Sequence, residues 1–354
     1  MRVALITAVD PFEESGGAER TLTRWLSHLA DNGYEVDVLT YGEESDGTRV
    51  GCSVKRLDDK CPITSIDRFC RTEDLDVVLT QSGWGDIALW AANRHGIHSL
   101  LCVMSDFDLN LKSGIASDAG PTRAIAVSDD YRERATDVYD CSVQTVYQPI
   151  DFEYYTVPDL ARETYTLINP INYKGGELFK RLAQQSDDEQ FLAKMGWFHQ
   201  RNEDLTFDRD IYDIYSQTVS EYVPSPEEPD LSPVPNIEFV IDGDIRDIYR
   251  RTKVLLVPSQ WDESFGRVVI EAMHNGIPVV ASNVGGIPEA CGDAAILVDD
   301  YESVDAWEEH LNTLEDRDTY EEYVRKSRAR ADRYRERQPG EIRAFESEVN
   351  KLIE

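Results

Sequence analysis

The chain has 354 residues, 41% of them hydrophobic, enough to fill two domains of ordinary size, and no apolar run approaches the ~18 residues that a membrane helix needs. Acidic residues outnumber basic ones 68 to 36, and the net charge of -32 is spread along the whole chain, which leaves no positive surface to displace counterions from nucleic acid. Such self-repulsion destabilises a compact state in dilute buffer and is tolerated where salt screens it, so the composition points to the salt-rich cytoplasm of a halophile, with an unusually acidic mesophile protein as the alternative.

The chain opens on "MRVALITAVDPF", a strand running into a loop, without the apolar stretch and small-residue cleavage site of a signal peptide. A cytoplasmic location is expected, with membrane contact left open. The leucines and tryptophan of "AERTLTRWLSHLADNG" recur at three- and four-residue steps and predict a helix that stops at Gly33. Further strands are expected at "EVDVLTY", "DVVLTQ", "SLLCVM", "RAIAVS" and "VQTVYQ". Apolar strands without alternation, separated by helices, indicate a parallel sheet covered on both faces. The six cysteines show no CxxC pair and no clustering with histidine, so buried free thiols are expected rather than a zinc site or disulfides.

The rhythm breaks near "QPIDFEYYTVPD" and restarts with "YTLINP", "FLAKMGW", "IEFVID", "KVLLVPS", "PVVASN" and "AILVD". The proline-rich, acidic stretch within 201–236 reads as an irregular surface excursion. The last part is helical and charged, with a break expected at Pro339-Gly340. The expected organisation is one domain over 1–155, a second over 156–330, and a terminal helix over 331–354 that packs back on the first. Two doubly wound α/β domains would put a cleft between the carboxyl ends of two facing sheets.

"DESFGRVVIEAMHNG" holds Glu263 and Glu271, eight positions apart. In so acidic a chain that spacing arises readily by chance, and a solvated helix face would explain it. Its setting carries more: "KVLLVPS" is a buried strand, Glu263 lies in the loop after it, and a helix begins near Gly266. A strand, loop and helix start in this order offers unpaired backbone N–H groups to an anion. A glycosidase pair fits less well, since eight helical residues rise about 12 Å whereas paired hydrolase carboxyls sit roughly 5 to 9.5 Å apart.

The stretch "PSQWDESFGRVVIEAMHNGIPVVASNVGGIPEA" resembles the E-x7-E region of retaining family 4 glycosyltransferases. "SGGAERTLTRWLSHLADNGYEVDVLT", "AIAVSDDYRERATD" and "INPINYKGGELFKRLA" are similar to other landmarks of the same family, so that the resemblance spans roughly residues 1–330. It implies the GT-B fold, α/β with two Rossmann-like domains facing across a donor cleft and C-terminal helices. By the same resemblance Glu271 would hold the donor ribose and Glu263 would lie by the transferred sugar. The backbone at Phe265 and Gly266 would approach the diphosphate that Lys174 neutralises, and Gly16 and Gly17 would form the loop over the phosphates and acceptor. No metal or other cofactor is expected, because a lysine and a helix N-terminus can stabilise a departing nucleoside diphosphate. Taken alone, Gly16-Gly17 is a plain loop signal and Lys174 a surface lysine at a helix start. "SGGAER" is no G-x-G-x-x-G dinucleotide fingerprint.

Two positions depart from the family pattern. Asn169 stands where an arginine usually lies five residues before the lysine, and Arg267 is the expected substitute for its charge. Ser105, followed by Asp106, stands where many members carry a histidine, so these two are expected to do its work or the activity is altered. Trp84 in "QSGWGD" is either an acceptor platform or a loop aromatic packed on its own domain. The expected reaction is retaining transfer of a sugar from a UDP- or GDP-sugar to a hydroxyl of a glycan, lipid-linked or small-molecule acceptor, in surface-glycan or glycolipid assembly. The alternatives are a nucleotide-sugar epimerase of the same fold and a non-catalytic scaffold that binds nucleotide sugar or glycan.

Overall fold

The computed structural model describes residues 1–13, 16–42, 46–57, 62–109, 120–186, 188–196 and 232–354, with only the backbone of Asp106 and Phe107. Cys61 and most of the proline-rich stretch within 201–236 lie outside the described residues. The described chain forms two compact units, one of residues 1–149 and 339–354, the other of 150–196 and 232–338.

The first unit is built on an eight-stranded sheet: β1 (Arg2–Ile6), β2 (Glu35–Tyr41), β3 (Gly47–Arg49), β4 (Cys52–Leu57), β5 (Val77–Thr80), β6 (His98–Val103), β7 (Arg123–Ala126) and β8 (Ser142–Thr145). The order is β3-β4-β2-β1-β5-β6-β7-β8, parallel except where β3 pairs antiparallel with β4. The chain runs outward from β1 in one direction and then returns to place β5 on its other side. That reversal opens a crevice at the carboxyl ends of β1 and β5, the usual ligand position of open α/β sheets. The hairpin of β3 and β4 was not among the expected strands. Cys52–Leu57 alternates buried and exposed residues near the sheet edge, a weaker signal than the apolar runs of the central strands.

The helix Gly17–Asp31 buries Leu22, Trp25, Leu26 and Leu29 on one stripe and ends just before Gly33, as the periodicity predicts. The terminal helix runs unbroken from Arg317 to Asn350, with Pro339 inside it, in place of the expected break. Proline costs the helix one backbone hydrogen bond, but side chains on either side are tied down. Gln338 accepts from the Ile150 N–H at 2.7 Å within the second unit, and Glu341 accepts from the Tyr147 N–H at 3.0 Å within the first. Phe345 then stacks on Trp25 at 4.6 Å and 6°, so residues 339–354 are held by the first unit's own core.

The second unit holds a wholly parallel six-stranded sheet: β9 (Thr164–Ile168), β10 (Gln190–Lys194), β11 (Ile237–Val240), β12 (Thr252–Val257), β13 (Val279–Ser282) and β14 (Ile296–Val298). Its order is β11-β10-β9-β12-β13-β14, so the switch point falls between β9 and β12. Tyr165, Leu167, Phe179, Phe191, Leu256 and Trp307 anchor its core. The five described cysteines are free thiols, of which Cys141 is half-buried and the rest are buried.

Candidate functional site

The residues singled out around the glutamates collect at the carboxyl ends of β9 and β12. β9 ends at Ile168, and Asn169 turns the chain in the left-handed region at φ 60°. Its buried side-chain oxygen has no hydrogen-bond partner among the described residues. A single 3-10 turn, Asn172–Lys174, then delivers Lys174 and ends at Gly175, where φ is 84°. A Cβ on Gly175 would meet the Pro258 carbonyl oxygen at 2.0 Å, so only glycine lets this turn lie against the end of β12.

That close approach brings Lys174 to Glu263. The ammonium Nζ lies 2.7 Å from Glu263 Oε1, and the buried Ser259 hydroxyl donates to the same oxygen at 2.9 Å. Burial pushes the Glu263 carboxyl up, but the Lys174 charge and these donors outweigh it and hold the group below its ordinary range. The glutamate loop is fixed from the far side by the Gly286 N–H, which donates to the Glu263 carbonyl at 2.7 Å. A Cβ on Gly286 would come within 2.3 Å of the Ser264 carbonyl oxygen, which accounts for a glycine in "NVGG". Beside the ion pair, the rings of Tyr173 and Trp261 pack at 4.7 Å.

Phe265 is wholly buried, its ring 5.6 Å from Tyr334, and Gly266 caps the helix Arg267–His274. Glu271 lies one turn into that helix and is 5% exposed, so it is not a solvated face. Two groups answer its charge: the Tyr249 hydroxyl donates to Oε2 at 2.8 Å, and Arg267 Nε lies 3.5 Å from Oε1. Arg267, expected to replace the charge missing at Asn169, is thus already turned toward Glu271.

In the first unit, Gly16 caps the helix that Gly17 begins, just beyond the carboxyl end of β1. The loop between them is tied to β4, since Arg56 Nη2 donates to Asp10 at 2.6 Å and to Glu13 at 2.5 Å. Ser105 follows β6, and its hydroxyl donates to Asp108 Oδ2 at 2.9 Å. Asp106 starts the short helix Asp106–Leu109, but its side chain lies outside the described part. Trp84 corrects the expectation of an acceptor platform. Its ring is 0% exposed, packed with Ile6, Phe69 and Ile87, because it caps a helix that lies on the sheet.

The sequence reading did not single out Tyr249, Ser259, Ser82 or Asp108. Tyr249 sits in "IRDIYRR", where nothing separates a tyrosine that serves a carboxylate from one that only fills the core. Ser259 in "VPSQ" and Asp108 in "SDFDL" were visible as polar residues after strands, but their partners come from distant loops. Among the described residues no three His, Cys, Asp or Glu side chains converge as a metal ion would require.

Comparison with known proteins adds a fold and a partial family match. Residues 235–335 match the family model of "Glycosyl transferases group 1". The D-inositol 3-phosphate glycosyltransferase of Corynebacterium glutamicum is 46% identical over 67 residues, 18% of this chain and 16% of that protein. The O-antigen chain mannosyltransferase B of Escherichia coli is 46% identical over 65 residues, again 18% of this chain and 16% of that protein. The match thus spans about one sixth of the length of these curated relatives. Among solved structures, Anabaena HepE in complex with UDP and glucose superposes with a TM-score of 0.71 at 14% identity, covering 100% of this chain and 99% of that one. Sucrose-phosphate synthase from Thermosynechococcus elongatus gives 0.69 at 17% identity, covering 94% of each chain. The chain therefore has the GT-B fold, two Rossmann-like α/β sheets with C-terminal helices, and its residues 235–335 match the glycosyl transferases group 1 model.

Proposed function

We propose that the protein is a retaining glycosyltransferase that moves a sugar from a nucleoside-diphosphate donor to an acceptor hydroxyl. The observation that carries this reading is the Lys174–Glu263 ion pair at the switch point of the second sheet, in the loop before the helix on which Tyr249 holds Glu271, with both glutamates and Tyr249 inside the matched segment. Glu271, held by Tyr249, would accept from the two ribose hydroxyls. Lys174 would exchange part of its contact with Glu263 for the diphosphate, placing positive charge where negative charge grows as the bond to the sugar breaks. Glu263, kept ionised, would then accept from hydroxyls of the transferred sugar. The N–H groups after Phe265 and Gly266 add the positive end of the helix that Arg267 begins. No metal is assigned to the site. The acceptor would attack on the face the diphosphate leaves, and the leaving phosphate would take its proton.

The donor class agrees with HepE, which was solved with UDP-glucose, and the acceptor class with the O-antigen chain and the D-inositol 3-phosphate in the names of the two curated relatives. Surface-glycan or glycolipid assembly in a salt-rich cytoplasm is the setting we assign. No described helix is long and apolar enough to cross a membrane. Two observations favour a non-catalytic sugar-nucleotide scaffold as a second reading: Asn169 is neutral where the resembled family carries an arginine, and Ser105 stands in for a histidine.

The test is a panel of UDP- and GDP-sugars in molar KCl, read by thermal shift and then by nucleotide release with hydroxyl acceptors. One nucleotide series should stabilise the wild type and not Glu271→Ala, with ligand-dependent stabilisation growing with concentration over the dissociation constant. Transfer of the sugar to an acceptor supports the enzyme, free nucleotide with an altered sugar an epimerase, and stabilisation without turnover the scaffold. A folded protein that no sugar nucleotide stabilises would refute the donor site.

A further inference from the structure

We propose that Asp108 is the positioning residue of the crevice in the first unit, setting the hydroxyls of Ser82 and Ser105 to receive an acceptor hydroxyl. The proposal rests on the glycosyltransferase reading and adds a residue to it. Ser82 follows β5 and Ser105 follows β6, so both stand at the carboxyl edge of the first sheet, beside its switch point between β1 and β5.

Asp108 is 0% exposed, yet its carboxylate meets four donors. Oδ1 accepts from the Ser82 N–H and from the Ser82 hydroxyl at 3.0 Å, and Oδ2 accepts from the Met104 N–H at 2.8 Å and from the Ser105 hydroxyl at 2.9 Å. One carboxylate therefore clamps the ends of two neighbouring strands. Ser82 is held there at φ 38°, a region that costs a residue with a side chain and that persists only where the surroundings fix it. The Asp108 backbone carbonyl is held in turn by the Tyr139 hydroxyl.

A count of protons shows what the clamp does. The two serine oxygens lie 3.2 Å apart. When Asp108 is ionised, both hydroxyl protons point at its carboxylate, and none is left for the contact between the serines. Both oxygens then keep lone pairs for a third hydroxyl, and half-buried Ser105 is the one within reach. When Asp108 is protonated, a third proton closes the ring of three groups on itself and takes up one of the two lone pairs on each serine oxygen, which weakens the site for a third hydroxyl. Burial, opposed by the four hydrogen bonds, moves the Asp108 carboxyl up to about 6, so this exchange falls near neutral pH. Among the described residues, the other ionisable groups beside it are the Cys102 thiol, held above its ordinary range by burial, and Tyr139.

The experiment uses the full chain in molar KCl, with UDP-glucose and GDP-mannose as donors and water, hexoses and myo-inositol as acceptors. Transfer by the wild type should rise as pH passes through about 6, and Asp108→Asn should lose that limb. Its transfer to hydroxyl acceptors should fall about 10-fold while donor binding stays within about 2-fold of wild type. Ser105→Ala should share the loss and Ser105→Thr should restore it, a pattern that a merely structural role would not give and that stands if Asp108→Asn fails to fold. An unchanged Asp108→Asn rate, or a limb near 6 that survives in that variant, would overturn the positioning role alone. A wild type that transfers sugar from no donor would overturn the glycosyltransferase reading and this role with it.

Discussion

Tyr249→Phe removes one oxygen from the wall of the second unit and tests how Glu271 is held. The Tyr249 ring is 0% exposed and its hydroxyl meets Glu271 Oε2 at 2.8 Å, so no water stands ready to replace it. A hydrogen bond to a charged group contributes roughly 1.5–3 kcal/mol, and phenylalanine recovers a little of that because no hydroxyl needs burying. A net loss of about 2 kcal/mol is expected, which in a domain of 150–250 residues lowers Tm by about 4–8 °C. The effect on donor binding should be much smaller. The freed oxygen can accept from ribose, so Tyr249→Phe should weaken donor affinity by no more than about 3-fold, whereas Glu271→Ala, losing two charged hydrogen bonds, should weaken it by about 100-fold or more. Differential scanning calorimetry and titration calorimetry in molar KCl give both numbers. The stability argument is refuted if Tyr249→Phe melts with the wild type. The donor argument is refuted if the tyrosine variant loses as much affinity as the glutamate variant.

Three further outcomes are expected. Because the Asp108 carboxyl is raised from 3.8 to about 6, its contribution to stability is complete below pH 4 and is lost as pH rises through 6, by about 3 kcal/mol in all. Denaturant titrations of wild type and Asp108→Asn should therefore converge in the variant's favour between pH 4 and 7, and parallel curves would contradict this. Lys174→Ala leaves the Glu263 carboxylate buried without its cation, at a cost of about 2–3 kcal/mol near pH 7 that shrinks as acid protonates it. Adding Glu263→Gln should recover most of that loss, and a purely additive double variant would show that the two do not interact. Phe345→Ala, which empties the stack on Trp25, should cost the first unit about 3–5 kcal/mol, measured by denaturant unfolding followed through tryptophan fluorescence. A loss below 1 kcal/mol would mean that residues 339–354 are not part of its core.

Strand and helix were legible wherever the chain carries one strong local signal. The unbroken apolar runs at Arg2–Ile6, Val77–Thr80 and Thr252–Val257 require burial on both faces, and a parallel sheet is the structure that provides it. The helix start at Gly266 and the charge order of "GRVVIEAMHNG" were equally local, and so was the distance along the chain between Glu263 and Glu271. Cys52–Leu57 was missed because an alternating strand near the sheet edge carries little apolar excess. Pro339 misled because a local rule ends helices at proline, while packing on both sides of it keeps this one whole.

What no local signal contains is which loops meet. Lys174 and Glu263 are 89 residues apart and touch only because β9 and β12 are neighbours at the switch point and Gly175 lets their loops close up. Ser82 reaches Asp108 across 26 residues by the same logic of adjacent strand ends, and Tyr249 reaches Glu271 across 22 because their two helices flank β12. Trp84 was open in the sequence between a ligand platform and a packed aromatic, and the helix it caps turns it into the core. Composition and periodicity thus determined the class of fold and the chemistry on offer, since both follow from each residue's own preference for water or for a neighbour one turn away. The assembly of a carboxylate with its cation, its hydroxyl donor and its glycine hinge was decided by strand order, which is a property of the whole sheet.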